Sequence, residues 1–263
     1  MRIDGKKIAE DIYQELLAQT NTCSPKLGLV VCGSDSATQS FVRLKERVAS
    51  RLGVEVYKRE FEPDVHTEDL VTAVFKLSQE VDGLVVQLPL PGHIDESRVL
   101  STIPKAVDVD ALNQETPSQE RLVHAPVAEA VLEILARASV SVLGKRTVVV
   151  GAGKLVGAPV AERLQELGAV VSVVTLETGS LQEVKEADIV VLGAGSPGLL
   201  TPDMLKPGVV LIDAGTSEAK GRVVGDADPA CESVASVFTP VPGGVGPVTV
   251  SMLFKNLFAI SRH

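Results

Sequence analysis

Short, nearly unbroken aliphatic runs are what most restrict the fold of this chain. Leu27-Gly28-Leu29-Val30-Val31 and Thr147-Val148-Val149-Val150 leave almost no polar face. A strand that is apolar on both sides has to be covered on both sides, as parallel strands beneath helices are. Between the runs lie stretches with helical spacing, such as Ile8, Ile12, Leu16 and Leu17. Alternating strands and helices predict an α/β fold with mostly parallel sheets. The core must be aliphatic, because aromatic residues are only 3% of the chain and Trp is absent. A length of 263 residues suits one large or two ordinary domains.

The spacing predicts helices over 8–18, 40–52, 66–78, 126–138, 156–167 and 249–261. Strands are expected over 27–31, 54–59, 83–88, 146–150, 170–174, 189–192 and 209–212, with polar loop over 104–123. The strand at 146–150, the turn Gly151-Ala152-Gly153, the next helix and the strand at 170–174 make a βαβ unit of dinucleotide-binding type.

A formal charge of −9 argues against nucleic acid as a partner. No run approaches the 18 apolar residues of a membrane span, and the first residues lack the apolar core of a secretory signal. Cys23, Cys32 and Cys231 are odd in number and scattered, so reduced thiols, a cytoplasmic setting and no metal site are expected.

The segment from Thr239 to Thr249 holds three prolines and three glycines in eleven residues. It reads as a rigid loop of bare backbone, suited to lining a site where flat rings come close. It resembles the TPVPGGVGPMT signature of the methylenetetrahydrofolate dehydrogenase/methenyltetrahydrofolate cyclohydrolase family. The run Gly83-Leu84-Val85-Val86-Gln87-Leu88-Pro89-Leu90-Pro91 resembles that family's GxxVQLPLP, and Asp108-Val109-Asp110 its DVDG. Leu155-Val156-Gly157-Ala158-Pro159, Ile212-Asp213-Ala214-Gly215 and Gly225-Asp226 follow in the family's order. The chain is similar to a diverged member, and the similarity runs along almost its whole length.

The resemblance implies site residues. Phe41 and Lys45 stand four apart on a predicted helix and so share a face. Alone they read as an amphipathic helix with a surface lysine; the family's YVxxK makes Lys45 the catalytic lysine, with Phe41 in place of the tyrosine. Gln87, at the end of a predicted parallel strand, can orient that lysine. Asp110 is implied as the carboxylate that holds the pterin. Its surroundings have drifted, with Ala111 where the family has glycine and Leu122 to Val127 replacing its PCTP segment. Thr38, Phe41, Leu88, Pro89, Pro242, Gly243 and Gly244 are implied as substrate-lining.

For the cofactor, the resemblance implies Gly151, Ala152, Gly153, Val156, Gly157, Glu177, Thr178, Ala194, Gly215 and Thr249. Relatives that use NADP carry GRS and HSRT motifs, whose arginines hold the 2′-phosphate. Here those arginines are replaced by Ala152 and Glu177. A carboxylate there suits the free ribose hydroxyls of NAD and repels a 2′-phosphate, so NAD is expected over NADP.

The expected architecture is two α/β domains with a cleft between them, the second a Rossmann-type doubly wound parallel sheet. Residues 1–125 with 249–263 would bind folate, and 126–248 would bind NAD(P). The implied activity oxidises 5,10-methylenetetrahydrofolate to the methenyl form, and a cyclohydrolase step weakened by the missing tyrosine hydroxyl yields 10-formyltetrahydrofolate. The implied assembly is a homodimer paired through the second domain. The alternative is a diverged homologue that only binds folate or nucleotide, or a dehydrogenase for another small molecule.

Overall fold

A computed structural model describes residues 1–19, 24–33, 36–176, 181–219 and 222–261. The chain divides into two compact units. One joins Asp11–Pro126 to Leu253–His263, and the other joins Met1–Glu10 to Val127–Met252.

In the first, β1 (Lys26–Cys32) lies between β2 (Glu55–Phe61) and β3 (Gly83–Val86), all parallel. Helices α2 (Ser36–Arg51) and α3 (Thr67–Ser78) connect them. Burial explains the unpatterned run in β1: Leu27, Leu29, Val30 and Val31 are all buried. A short helix, α4 (Glu96–Ser101), was not legible in the sequence; Asp95 caps it by accepting the Arg98 N–H at 3.0 Å.

In the other unit, α5 (Pro126–Arg137) precedes β4 (Arg146–Val150), α6 (Gly157–Glu166) and β5 (Val170–Val174). Then come β6 (Ile189–Leu192), β7 (Val210–Asp213), the hairpin strands β8 (Ser217–Ala219) and β9 (Arg222–Val224), and β10 (Val237–Phe238). The parallel sheet runs β10-β7-β6-β4-β5. Val148, Val150, Val190, Leu192 and Leu211 form one buried cluster on one face. The chain leaves β4 for β5 on one side and returns to β6 on the other. The carboxyl end of β4 is therefore a switch point, where open α/β sheets leave a crevice. In the smaller sheet the same reversal falls between β1 and β3.

Helices α1 (Gly5–Leu17) and α7 (Val245–Ile260) each begin in one unit and end in the other. The start of α7 corrects the expectation of loop through Thr249. Turns cover 241–243, and Gly246 and Pro247 already lie in the first helical turn. N–H groups in a first turn have no intrahelical acceptor, so proline there loses no hydrogen bond.

Three helices end in one cap, with a left-handed residue just past the helix. After α2 it is Gly53 (φ +67), after α6 Gly168 (φ +82), and after α5 Ser139 (φ +56). At Ser139 its own N–H reaches Ala136 O at 2.9 Å, and the Val140 N–H reaches Leu135 O at 2.9 Å. Serine is exposed there and carries a Cβ where the other two caps carry none. Relieving the left-handed strain outweighs glycine's extra freedom in the unfolded chain. Ser139→Gly is expected to stabilise the protein by about 0.5–1 kcal/mol, read as a higher urea midpoint; a lower midpoint would refute this account of the cap.

Candidate active site

Lys45 and Gln87 lie 42 residues apart, and the fold joins them. Gln87 follows β3 at the switch point of the smaller sheet, its N–H bonded to Val30 O at 2.8 Å. Its side-chain Nε2 donates to Leu88 O at 2.8 Å, which aims Oε1 the other way. The Lys45 ammonium donates to that oxygen at 2.8 Å. Phe41, one turn earlier on α2, leaves 46% of its surface open, while Thr38 is buried. Leu88 is half-buried and Pro89 exposed just past β3.

Asp110 is close enough to couple electrostatically to Lys45. Burial pushes the lysine below its ordinary pKa, and the Asp110 charge opposes the shift. Burial pushes the Asp110 carboxyl up, and the lysine charge opposes that shift. Lys45, Gln87 and Asp110 thus form one group, with a proton carrier whose ammonium is less favoured than in water.

The loop carrying Asp110 is pinned from several sides. Asp108, a motif residue to which the sequence assigns no role, is buried and accepts the N–H groups of Leu112 (3.0 Å) and Asn113 (2.9 Å). Asn256 of α7 donates to Val109 O and His124 O, both at 2.9 Å. Ala111 stays left-handed (φ +53) although it carries a Cβ where the family has glycine.

Of the expected dinucleotide residues, those from Gly151 to Gly157 follow the carboxyl end of β4 and Ala194 follows that of β6, while Gly215 follows β7 and Thr249 lies within α7. Gly151 is left-handed (φ +104), and a Cβ on it would stand 2.5 Å from Gly193 O. A Cβ on Gly157 would collide with Gly151 O, and one on Gly193 would stand 2.5 Å from Val156 Cγ1. Bare backbone lets strand, turn and helix meet there. Ala152 and Gly153 are exposed, with open space around a Cβ built on Gly153. This cradle opens at the start of α6, as pyrophosphate requires, so the residues present fit a dinucleotide. Glu177 and Thr178 lie outside the described residues.

Other expected residues have internal partners. The Ala194 N–H is bonded to Asp226, and the Gly215 N–H to Asp213. Thr249 Oγ1 donates to Val245 O at 3.1 Å within α7. Gly243 (φ +104) accepts the Gly5 N–H at 2.9 Å, and Gly244 is buried against Thr239; Pro242 is exposed. Asp213 and Asp226 were legible as family landmarks without a role. Burial beside a second carboxylate pushes the Asp213 pKa up to about 6, against the N–H groups it accepts. Cys32 and Cys231 are buried free thiols donating to Glu62 O and Leu200 O, and burial raises both pKa values. They are core residues. Among the described residues no helix is long and apolar enough to cross a membrane.

A parallel sheet with a glycine cradle at its switch point, in a chain whose other unit holds a helical lysine aimed by an amide at a strand end, defines an α/β protein of the dinucleotide-binding class. Residues 125–263 match the NAD(P)-binding domain of tetrahydrofolate dehydrogenase/cyclohydrolase, and residues 3–110 match its catalytic domain. The chain belongs to that family. It is 38% identical over 274 residues to the bifunctional protein FolD of Exiguobacterium sp., covering 99% of this chain and 98% of the relative. Among solved structures it is similar to the Campylobacter jejuni bifunctional FolD enzyme, with a TM-score of 0.93, 29% identity, and 100% and 98% of the two chains covered. It is also similar to the Trypanosoma brucei methylenetetrahydrofolate dehydrogenase-cyclohydrolase solved with NADP and an inhibitor. There the TM-score is 0.92 and identity 36%, covering 100% and 97%.

Proposed function

We propose that this protein oxidises 5,10-methylenetetrahydrofolate to 5,10-methenyltetrahydrofolate and hydrolyses the product to 10-formyltetrahydrofolate. The observation that carries the reading is the Lys45–Gln87 contact beside Asp110. The alternative of a binding-only homologue has no use for an amine held at a desolvation cost. A bound nicotinamide supplies the hydride acceptor.

Lys45, Gln87 and Asp110 do the rest. In hydrolysis water attacks the methenyl carbon, and the neutral Lys45 amine takes its proton. As the bond from carbon to N5 breaks and the carbinol oxygen becomes the formyl carbonyl, the Lys45 ammonium gives its proton to N5 and the carbinol O–H proton passes to solvent. Gln87 keeps the lysine aimed during both transfers. Asp110 holds the aminopyrimidinone edge of the pterin through paired N–H donors. Phe41 presents a ring for stacking on the substrate, without the hydroxyl of the family's tyrosine.

We infer NAD over NADP, from Ala152 and Glu177 in place of the family's two arginines. Folate chemistry is assigned to residues 1–125 with 249–263, and cofactor binding to 126–248. A homodimer paired through the latter is supported by the edge strand β5, where Val170 and Val173 are 62% and 44% exposed. The free thiols Cys32 and Cys231 suit a cytoplasmic setting.

Absorbance of the protein with 5,10-methylenetetrahydrofolate and either nucleotide follows reduced nicotinamide and the methenyl product together. Turnover with NAD preferred at least about tenfold in kcat/KM is expected, with the methenyl signal decaying. Absence of turnover with both nucleotides would overturn the dehydrogenase, and preference for NADP would overturn the role given to Glu177.

A further inference from the structure

Two buried aspartates stand beside the cofactor cradle. Asp226 is wholly buried, and its carboxylate accepts three successive backbone N–H groups: Ala194 at 2.7 Å, Gly195 at 3.0 Å and Ser196 at 2.7 Å. Consecutive N–H groups converging on one anion form the kind of nest that elsewhere binds phosphate. Here the chain fills the nest with its own carboxylate. The nest follows β6 directly, and the preceding residue, Gly193, is the one whose carbonyl crowds Gly151. The nest therefore borders the glycine turn.

Asp226 is itself fixed. Asp213, the last residue of β7, accepts the N–H groups of Asp226 (3.2 Å), Ala227 (2.9 Å) and Gly215 (3.0 Å). A Cβ on Gly215 would collide with the Asp226 carboxylate, and one on Gly225 with that of Asp213. The two acids and two glycines interlock.

Across a trans peptide the carbonyl points opposite to the following N–H. With the N–H groups of 194–196 turned inward, the carbonyls of Gly193, Ala194 and Gly195 face away from the carboxylate. We propose that Asp226 is a positioning residue for cofactor binding: it turns this loop so that carbonyl acceptors, and no N–H donors, meet the hydroxyl and amide groups of the dinucleotide. The inference rests on the nicotinamide-dependent activity proposed above.

Asp226→Asn keeps the side chain's shape but sets an amide donor against the N–H groups. In steady-state kinetics on the full chain, the KM for the cofactor is expected to rise at least about tenfold. The KM for methylenetetrahydrofolate stays within about twofold, as does the cyclohydrolase rate, which consumes no cofactor. An unchanged cofactor KM, or equal loss of both activities, would overturn the proposal while leaving the functional reading intact. A wild type that turns over with neither nucleotide would overturn both. Hydrogen exchange on the wild type gives a measurement independent of the variant's folding. The amides of 194–196 should be protected at least about a hundredfold before cofactor is added, and exchange at unprotected rates would overturn the inference.

Discussion

Replacing Lys45 by methionine is expected to lower the cyclohydrolase rate about a thousandfold, within the range that a positioned acid–base group contributes. The dehydrogenase rate should fall less, by about tenfold, because hydride transfer depends chiefly on positioning. Methionine keeps most of the side chain's bulk and loses the donor to Gln87 Oε1. The pH profile gives the second signature. Burial holds the Lys45 pKa below the usual 10.5, so its amine becomes neutral at lower pH than a free lysine. The hydrolytic rate should climb with pH to a limb below 10.5, and that limb should vanish in the variant. Between the lowered pKa and 10.5 the native state binds fewer protons than the unfolded chain, so this group's contribution to stability rises with pH. A variant that kept the full cyclohydrolase rate would remove Lys45 from the mechanism.

Gly157→Ala should be strongly damaging to the cofactor unit. Its Cβ would collide with the Gly151 carbonyl, and backbone against backbone leaves no rotamer to relieve the clash. Either α6 moves off β4 or the turn distorts, at a cost of about 3 kcal/mol or more. Gly153→Ala is the control, since open space surrounds its Cβ and its φ is not positive. It should leave stability within about 0.5 kcal/mol. Urea midpoints separate the two, and a cofactor-induced thermal shift should be absent in Gly157→Ala. Equal stability of the two variants would show that the cradle is not close-packed.

Three strands of the larger sheet were legible because their signal is local. Strands at 146–150, 170–174 and 189–192 match the expected bounds, each an aliphatic run with no competing helical period. β8, β9 and β10 have two or three residues each, too few for any period to register. The Lys45–Gln87 contact joins a helix to a strand end, and no spacing within either segment implies it; only the family resemblance suggested it. The Asp213–Asp226 pair left a trace, glycine close to each acid in Asp213-Ala214-Gly215 and Gly225-Asp226. That trace becomes a reason only once the packing shows each glycine making room for the other's carboxylate.

That interlock has a genetic consequence. Every missense change at a glycine codon adds a Cβ, so Gly215 and Gly225 have no neighbouring amino acid that fits. Shortening either aspartate first would strip three N–H groups of their acceptor. Any stepwise route to another arrangement therefore begins with a damaged intermediate, and the four positions are bound to persist or to change together.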